Sequence, residues 1–86
     1  MIIKFSKTFI KQRKKASKKV QKIVDEGIEL FVENPADPLL SLHKLRGVLR
    51  KYHSINIFGD WQVIIKISRE EVVVFMFLGT HSELYK

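Results

Sequence analysis

Three residues that could transfer protons, His43, Asp60 and His81, lie where predicted elements of secondary structure end. His43 comes before a short basic run, Asp60 lies in a turn between two predicted strands, and His81 follows the last strand. A rigid scaffold often holds functional groups at such positions. Histidine titrates nearest neutral pH, so it can serve as an acid or as a base. Antiparallel strands could bring these ends together, but the sequence does not fix which ends meet.

Cleavage of RNA by its own 2′-hydroxyl needs this set of groups. A base takes the hydroxyl proton, an acid protonates the leaving oxygen, and positive charge stabilises the phosphorane. Four cations near His43 could hold phosphates: Lys44, Arg46, Arg50 and Lys51. Three aromatic residues could stack on exposed bases: Tyr52, Trp61 and Tyr85.

Each of these residues also has a simpler interpretation. A single histidine at an element end is more often a capping or surface group than a catalyst. Trp61 beside a turn is more often a packed core aromatic, and Asp60 after Gly59 is an ordinary turn residue. We expect no metal and no cofactor, because no histidine pair has helical i,i+4 spacing and the chain has no cysteine.

The charge is unevenly distributed. The 86 residues carry a net charge of +7, and residues 1–24 contain nine Lys or Arg and no Asp or Glu. A field of one sign attracts polyanions, so nucleic acid, an anionic membrane or an acidic protein are possible partners. The alternative is a solvated helix face kept basic for solubility.

The pattern of apolar residues predicts an α+β fold in one domain over residues 1–86. We expect a short strand over residues 1–5, a helix from about Lys7 to Ala16, and a second helix from Ser17 to the Asn34–Pro35 pair. Three strands joined by tight turns at residues 58–61 and 68–71 should follow, forming an antiparallel meander with the helices packed on one face of the sheet. The predicted strands are Tyr52–Phe58, Trp61–Ile67 and Val72–Leu78. The tail from Ser82 to Lys86 is left unassigned.

Three phrases of the sequence together resemble the RelE/StbE toxins, especially their YafQ branch. They are His43-Lys44-Leu45-Arg46-Gly47, Gly59-Asp60-Trp61 and Gly79-Thr80-His81-Ser82-Glu83-Leu84-Tyr85. Their order and spacing follow that family over residues 40–86, whereas the first 35 residues match only as a strand and a basic helical pair. The resemblance implies the toxin of a type II toxin–antitoxin pair, a metal-independent endoribonuclease that cuts messenger RNA on the ribosome.

The resemblance also implies residue roles. His43, Asp60, His81 and Tyr85 match family positions of the catalytic site, with both histidines in proton transfer and Asp60 as a second base or an orienter. The RNA-binding and phosphate-binding neighbours would be Lys44, Arg46, Arg50, Lys51, Asn56 and Trp61. The chain departs from the family at Asn56, Gln62 and Phe77, where relatives often carry histidine or arginine. Catalysis would then depend on Arg46, Arg50, Lys51 or His53, or would be weak.

The expected partners are the ribosome with its message and a cognate antitoxin in contact with the basic N-terminal helices. We expect a monomer when the toxin is alone, no membrane contact and a location in the bacterial cytoplasm, since the first residues show no secretory signal and no apolar run spans a bilayer. Two alternatives remain open: a ParE-like gyrase inhibitor that does not cut RNA, and an inactive binding module of the same fold.

Overall fold

The computed structural model describes residues 1–69 and 71–85 and contains one five-stranded sheet with two long helices on one side. In chain order the elements are β1 (Ile2–Phe5), α1 (Lys7–Lys15), α2 (Lys18–Glu33), β2 (His43–Lys44), β3 (His53–Phe58), β4 (Trp61–Ile67), β5 (Val72–Thr80) and α3 (His81–Leu84). Short 3₁₀ turns lie at Pro38–Leu40 and Gly47–Leu49. No helix in the described part of the chain is both long and apolar enough to cross a membrane.

The two helices begin where serine side chains cap them. Ser6 accepts a hydrogen bond from the Phe9 N–H, and Ser17 accepts one from the Val20 N–H. Each bond satisfies one backbone donor that the first helical turn leaves without a partner. Helix α2 ends at Glu33, before Asn34, because Pro35 disfavours helical backbone in the residue before it. The predicted bounds of both helices are confirmed to within a residue.

The sheet has the strand order β1-β5-β4-β3-β2. Strands β2 to β5 are antiparallel neighbours, as the short turns predicted, whereas β1 pairs with β5 in parallel. The predicted four-strand arrangement therefore needs one correction: two residues, His43 and Lys44, add the edge strand β2. The turn predicted at 68–71 and the C-terminal tail include Glu70 and Lys86, which lie outside the described residues.

The two faces of the sheet have different roles. The near face carries Ile55, Val63, Ile65 and Phe75, which pack with Phe9 of α1 and with Val24 and Phe31 of α2 in the buried core. Side chains alternate along a strand, so the neighbouring residues point to the other side. This far face carries Ser54, Asn56, Gln62, Ile64 and Phe77, which the register brings together across β3, β4 and β5.

Helix α2 approaches β3 closely at Gly27. A Cβ atom built on Gly27 would lie 2.6 Å from Cδ1 of Ile57 and 3.3 Å from its Cγ2. A side chain at this position would force Ile57 to shift. Gly27 therefore sets the distance between α2 and the strand whose far side carries Asn56.

Candidate active site

Asp60 lies in the two-residue turn between β3 and β4. Phe58 pairs with Trp61, so Gly59 and Asp60 form the whole connection. Gly59 has a φ of +52°, a conformation that glycine adopts without steric cost. The turn leaves the carboxylate of Asp60 exposed to solvent at the end of the sheet.

His81 meets this turn because β5 runs antiparallel to β4 and ends beside it. Thr80 is the register partner of Trp61, and the next residue begins α3. The backbone N–H of His81 donates to the carbonyl oxygen of Asp60 at 3.0 Å. The expected meeting of strand ends therefore joins two of the three candidate residues.

Helix α3 holds His81 through a capping box. The Thr80 hydroxyl accepts from the Glu83 N–H, and the Glu83 carboxylate accepts from the Thr80 N–H at 2.8 Å. Leu84 packs over Gly79, where an added Cβ would lie 3.3 Å from the leucine side chain. A four-residue helix has little intrinsic stability. The capping box and the Leu84 contact therefore hold α3, and with it His81, in position.

Tyr85 packs against the imidazole of His81. Their ring centroids are 4.7 Å apart, and the planes are tilted by 49°. The phenol oxygen of Tyr85 is buried and has no hydrogen-bond partner within the described part of the chain. This contact restricts the orientations that the His81 ring can adopt.

His43 lies at the opposite edge of the sheet, on β2. Its register partner is Ser54, and the Ile64 and Phe77 positions follow across β4 and β5. Standard strand spacings then put the Cα atoms of His43 and His81 roughly 15–20 Å apart. The contacts found among residues 1–69 and 71–85 join His81 to Asp60 and Tyr85, and none joins it to His43.

The His43 ring has a defined orientation. Its Nδ1 lies 2.8 Å from the carbonyl oxygen of Ser41, and since a carbonyl can only accept, Nδ1 carries the proton. The exposed Nε2 is then the free nitrogen of the neutral ring. His43 can accept a proton or a hydrogen bond from a ligand at this edge.

The four cations predicted to hold phosphates lie around the same edge. Lys44, Arg46, Arg50 and Lys51 are exposed, and none forms an ion pair with a described residue. Gly47, with a φ of +67°, turns the chain between them. Between residues 38 and 69 the sequence has six Lys or Arg and a single acidic residue, Asp60. This edge is therefore a free basic surface.

His53 does not belong to the site. It pairs with Ile65 and lies on the near face with Ile55, away from Asn56. Burial lowers the pKa of His53, and the neighbouring charges of Lys44 and His43 lower it further. Its Nδ1 is buried without a partner in the described residues. His53 is a packed, neutral histidine that cannot replace a missing cation on the far face.

Trp61 also points away from the far face. It packs on the core from the near side, and its half-buried ring borders cavities lined by Val20 and Ile23 of α2 and by Lys15 of α1. This placement matches the simpler interpretation of Trp61 as a packed aromatic.

The three positions that differ from the RelE/StbE pattern, Asn56, Gln62 and Phe77, are neighbours on the far face of the sheet. Asn56 pairs with Gln62, Gln62 pairs with Gly79, and Phe77 is two residues before Gly79 on β5. Ser54 donates from its Oγ to Oε1 of Gln62 at 3.2 Å. Ser54 was not among the residues predicted from the sequence; the alternation of Ser54 and Asn56 with Ile55 and Ile57 was the available signal. No group of three or more metal-ligating side chains occurs in the parts of the chain that the structure describes.

Solved structures define the class of fold. YafQ from Escherichia coli strain BL21(DE3) superposes with a TM-score of 0.82 at 24% identity, over 98% of this chain and 97% of that one. The E. coli DinJ–YafQ toxin–antitoxin complex gives a TM-score of 0.79 at 24% identity, covering 98% and 96%. The RelB–RelE antitoxin–toxin complex from Methanococcus jannaschii gives 0.74 at 22% identity, covering 95% and 94%. The chain therefore has the fold of the RelE toxin superfamily.

The family follows from the sequence. Residues 1–86 match the model of the bacterial toxin of a type II toxin–antitoxin system, YafQ. This chain belongs to the YafQ toxin family, which confirms the resemblance noted in its three phrases. No curated protein matches the chain.

Proposed function

We propose that this toxin is an endoribonuclease that cuts messenger RNA bound to the ribosome, without a metal ion. The observation that carries the proposal is the backbone hydrogen bond of 3.0 Å that places His81 beside Asp60. It puts a carboxylate and an imidazole, a possible base and a possible acid, at one end of the sheet. Membership of the YafQ toxin family supports the same activity.

In the proposed reaction the 2′-oxygen of the message attacks the adjacent phosphorus. Asp60 accepts the proton of the 2′-hydroxyl, and protonated His81 gives its proton to the 5′-oxygen as the P–O5′ bond breaks. The products are a 2′,3′-cyclic phosphate and a 5′-hydroxyl, and the step leaves Asp60 protonated and His81 neutral. Tyr85 orients the His81 ring through their contact.

His43 and the basic edge have a separate role in this proposal. Their distance from His81 favours binding of the RNA strand on one side of the cut over proton transfer at the cut itself. Free Lys44, Arg46, Arg50 and Lys51 side chains attract phosphates. Because few cations adjoin Asp60 and His81, the ribosome has to position the message, and such positioning can supply a large share of a rate enhancement.

The test compares two histidines of the chain. Wild type, His81→Gln and His53→Gln are expressed from an inducible promoter, and primer extension maps cuts in a translated reporter. We expect cuts within codons for wild type and His53→Gln, and loss of at least 100-fold for His81→Gln, which is the order of effect of a general acid. Growth arrest without cuts in the wild type would reject the nuclease and favour the ParE-like gyrase alternative, which a supercoiling assay then checks.

We also propose a cognate antitoxin as the partner, acting in the bacterial cytoplasm where ribosomes translate. Two similar structures are toxin–antitoxin complexes. Helix α1 and the first turn of α2 present exposed lysines, and residues 1–24 contain no Asp or Glu. Lys18→Glu with Lys22→Glu should weaken capture of the co-expressed antitoxin, whereas Lys66→Glu on β4 should not. Equal capture by both variants would place the antitoxin elsewhere.

A further inference from the structure

The far face of the sheet carries a row of two carboxamides beside the candidate active site. Asn56 and Gln62 are register partners, and the next position in the row is Gly79. Both amide side chains are half-buried. Gly79 has no side chain, and Leu84 of α3 packs over it, so α3 closes the row on the side of β5 and places His81 near its end.

The Gln62 carboxamide has a fixed direction. Ser54, which is 0% exposed, donates from Oγ to Oε1 of Gln62 at 3.2 Å. The hydroxyl thereby occupies the carbonyl end of the amide. The Nε2 end keeps two N–H donors, and neither has a partner among the described residues. Ser54 is the one buried polar side chain among the described residues. Its hydroxyl hydrogen-bonds to the side chain of Gln62.

Two aromatic rings lie next to the carboxamide row. Tyr52 and Phe77 meet edge to face with ring centroids 6.4 Å apart. Both rings lean over β4, where Ile64 is 2% exposed. Phe77 precedes Gly79 by two residues, which corresponds to roughly 7 Å along a strand. The half-buried rings and the carboxamides are therefore within reach of one planar ligand.

We propose that these residues form a binding site for an unstacked nucleobase of single-stranded RNA. The Phe77 and Tyr52 rings provide the stacking surface, and Asn56 and Gln62 hydrogen-bond to the edge of the base. Carboxamides carry no charge, so they suit a base edge better than a phosphate; they donate and accept at once, which distinguishes bases. Ser54 is a positioning residue that sets which end of Gln62 faces the base. The inference rests on the proposed function for its RNA ligand.

The experiment measures base preference and not total activity. Primer extension on one translated reporter gives the cut fraction at each codon for wild type, Ser54→Ala, Gln62→Met and the matched control Ser68→Ala, an exposed serine after β4. We expect the ratio of strongest to weakest cut to fall about fivefold in Ser54→Ala and in Gln62→Met, the factor for one hydrogen bond. Ser68→Ala should keep the wild-type pattern. Unchanged preferences in both far-face variants would overturn the inference.

A binding measurement separates this inference from the proposed nuclease. Should the wild type make no cuts, fluorescence anisotropy with 2′-O-methyl octamers of A, C, G and U, which cannot be cleaved, gives the affinity for each base. Affinities that differ among bases in the wild type and become equal in Ser54→Ala would support the site even though the nuclease proposal had failed. Equal wild-type affinity for all four octamers would overturn it. Thermal melting confirms that each variant is folded.

Discussion

Replacing Gly27 with alanine should destabilise the protein, although alanine is the better helix former. Alanine in the interior of α2 gains about 1 kcal/mol over glycine from helix propensity. Its Cβ would, however, lie 2.6 Å from Cδ1 and 3.3 Å from Cγ2 of Ile57. Forcing a methyl group into such a packed contact costs about 2 kcal/mol. The net expectation is a loss of about 1 kcal/mol in the free energy of unfolding.

The same substitution should have the opposite sign in an Ile57→Ala background. Truncation removes all three side-chain atoms that the new Cβ would meet, so only the helix gain of about 1 kcal/mol remains. The coupling between the two sites is then about 2 kcal/mol, within the range of residues in direct contact. Ile57 is half-buried, so Ile57→Ala alone should cost about 1–2 kcal/mol, less than the truncation of a fully buried aliphatic residue.

The assay is urea unfolding of the four proteins of this cycle, followed by far-ultraviolet circular dichroism. The sign reversal is the informative result. If Gly27→Ala stabilised both backgrounds by the same amount, α2 would not lie against Ile57, and the argument that Gly27 sets the position of β3 would be wrong.

Three further predictions concern the helices and His53. Arg13→Ala removes the two hydrogen bonds of 2.9 and 2.7 Å to Asp25 and should lower the free energy of unfolding by about 0.5 kcal/mol at low salt, measured by urea unfolding. An equal loss in 1 M salt would argue against an ionic origin. Burial lowers the pKa of His53 below its ordinary value of 6.5, so below that pH the unfolded chain binds more protons than the folded one. Its contribution to stability should be complete above pH 6.5 and decline as the pH falls toward the folded-state pKa, and His53→Gln should lessen this decline in melting scans. Thr80→Ala removes one half of the capping box with Glu83 and should lower the cleavage rate while changing the melting temperature little, because it loosens α3 without affecting the core; a large drop in melting temperature with unchanged cleavage would contradict that role.

The helices were predictable because their signals are local. Ser6 and Ser17 each precede an apolar pattern at helical spacing, and Pro35 marks the end of α2. Strand β4 has the predicted bounds, Trp61–Ile67, because its β-branched residues lie between two turns. Strand β2 has two residues, too few for any periodicity, and it exists only because β3 offers a free edge.

The site was only partly predictable, for a related reason. The sequence places Asp60 and His81 at element ends, but their meeting depends on the register of β4 with β5, which is a long-range property. The same register separates His43 from His81, so one cluster of two histidines and a carboxylate does not form. The hydrogen bond between Ser54 and Gln62 depends on the β3–β4 pairing, so no spacing in the sequence predicts it.

Attack by the 2′-hydroxyl on a ribosome-bound message can be tested directly with purified ribosomes programmed with a defined message. The toxin is added to the ribosome complex, to the same message without ribosomes, and to a complex whose message has a single 2′-deoxynucleotide at the mapped cut. We expect cleavage only in the first mixture, with a 2′,3′-cyclic phosphate and a 5′-hydroxyl at the new ends and no effect of added EDTA. Cleavage of the 2′-deoxy message at the same position would contradict attack by the 2′-hydroxyl and, with it, the roles given to Asp60 and His81.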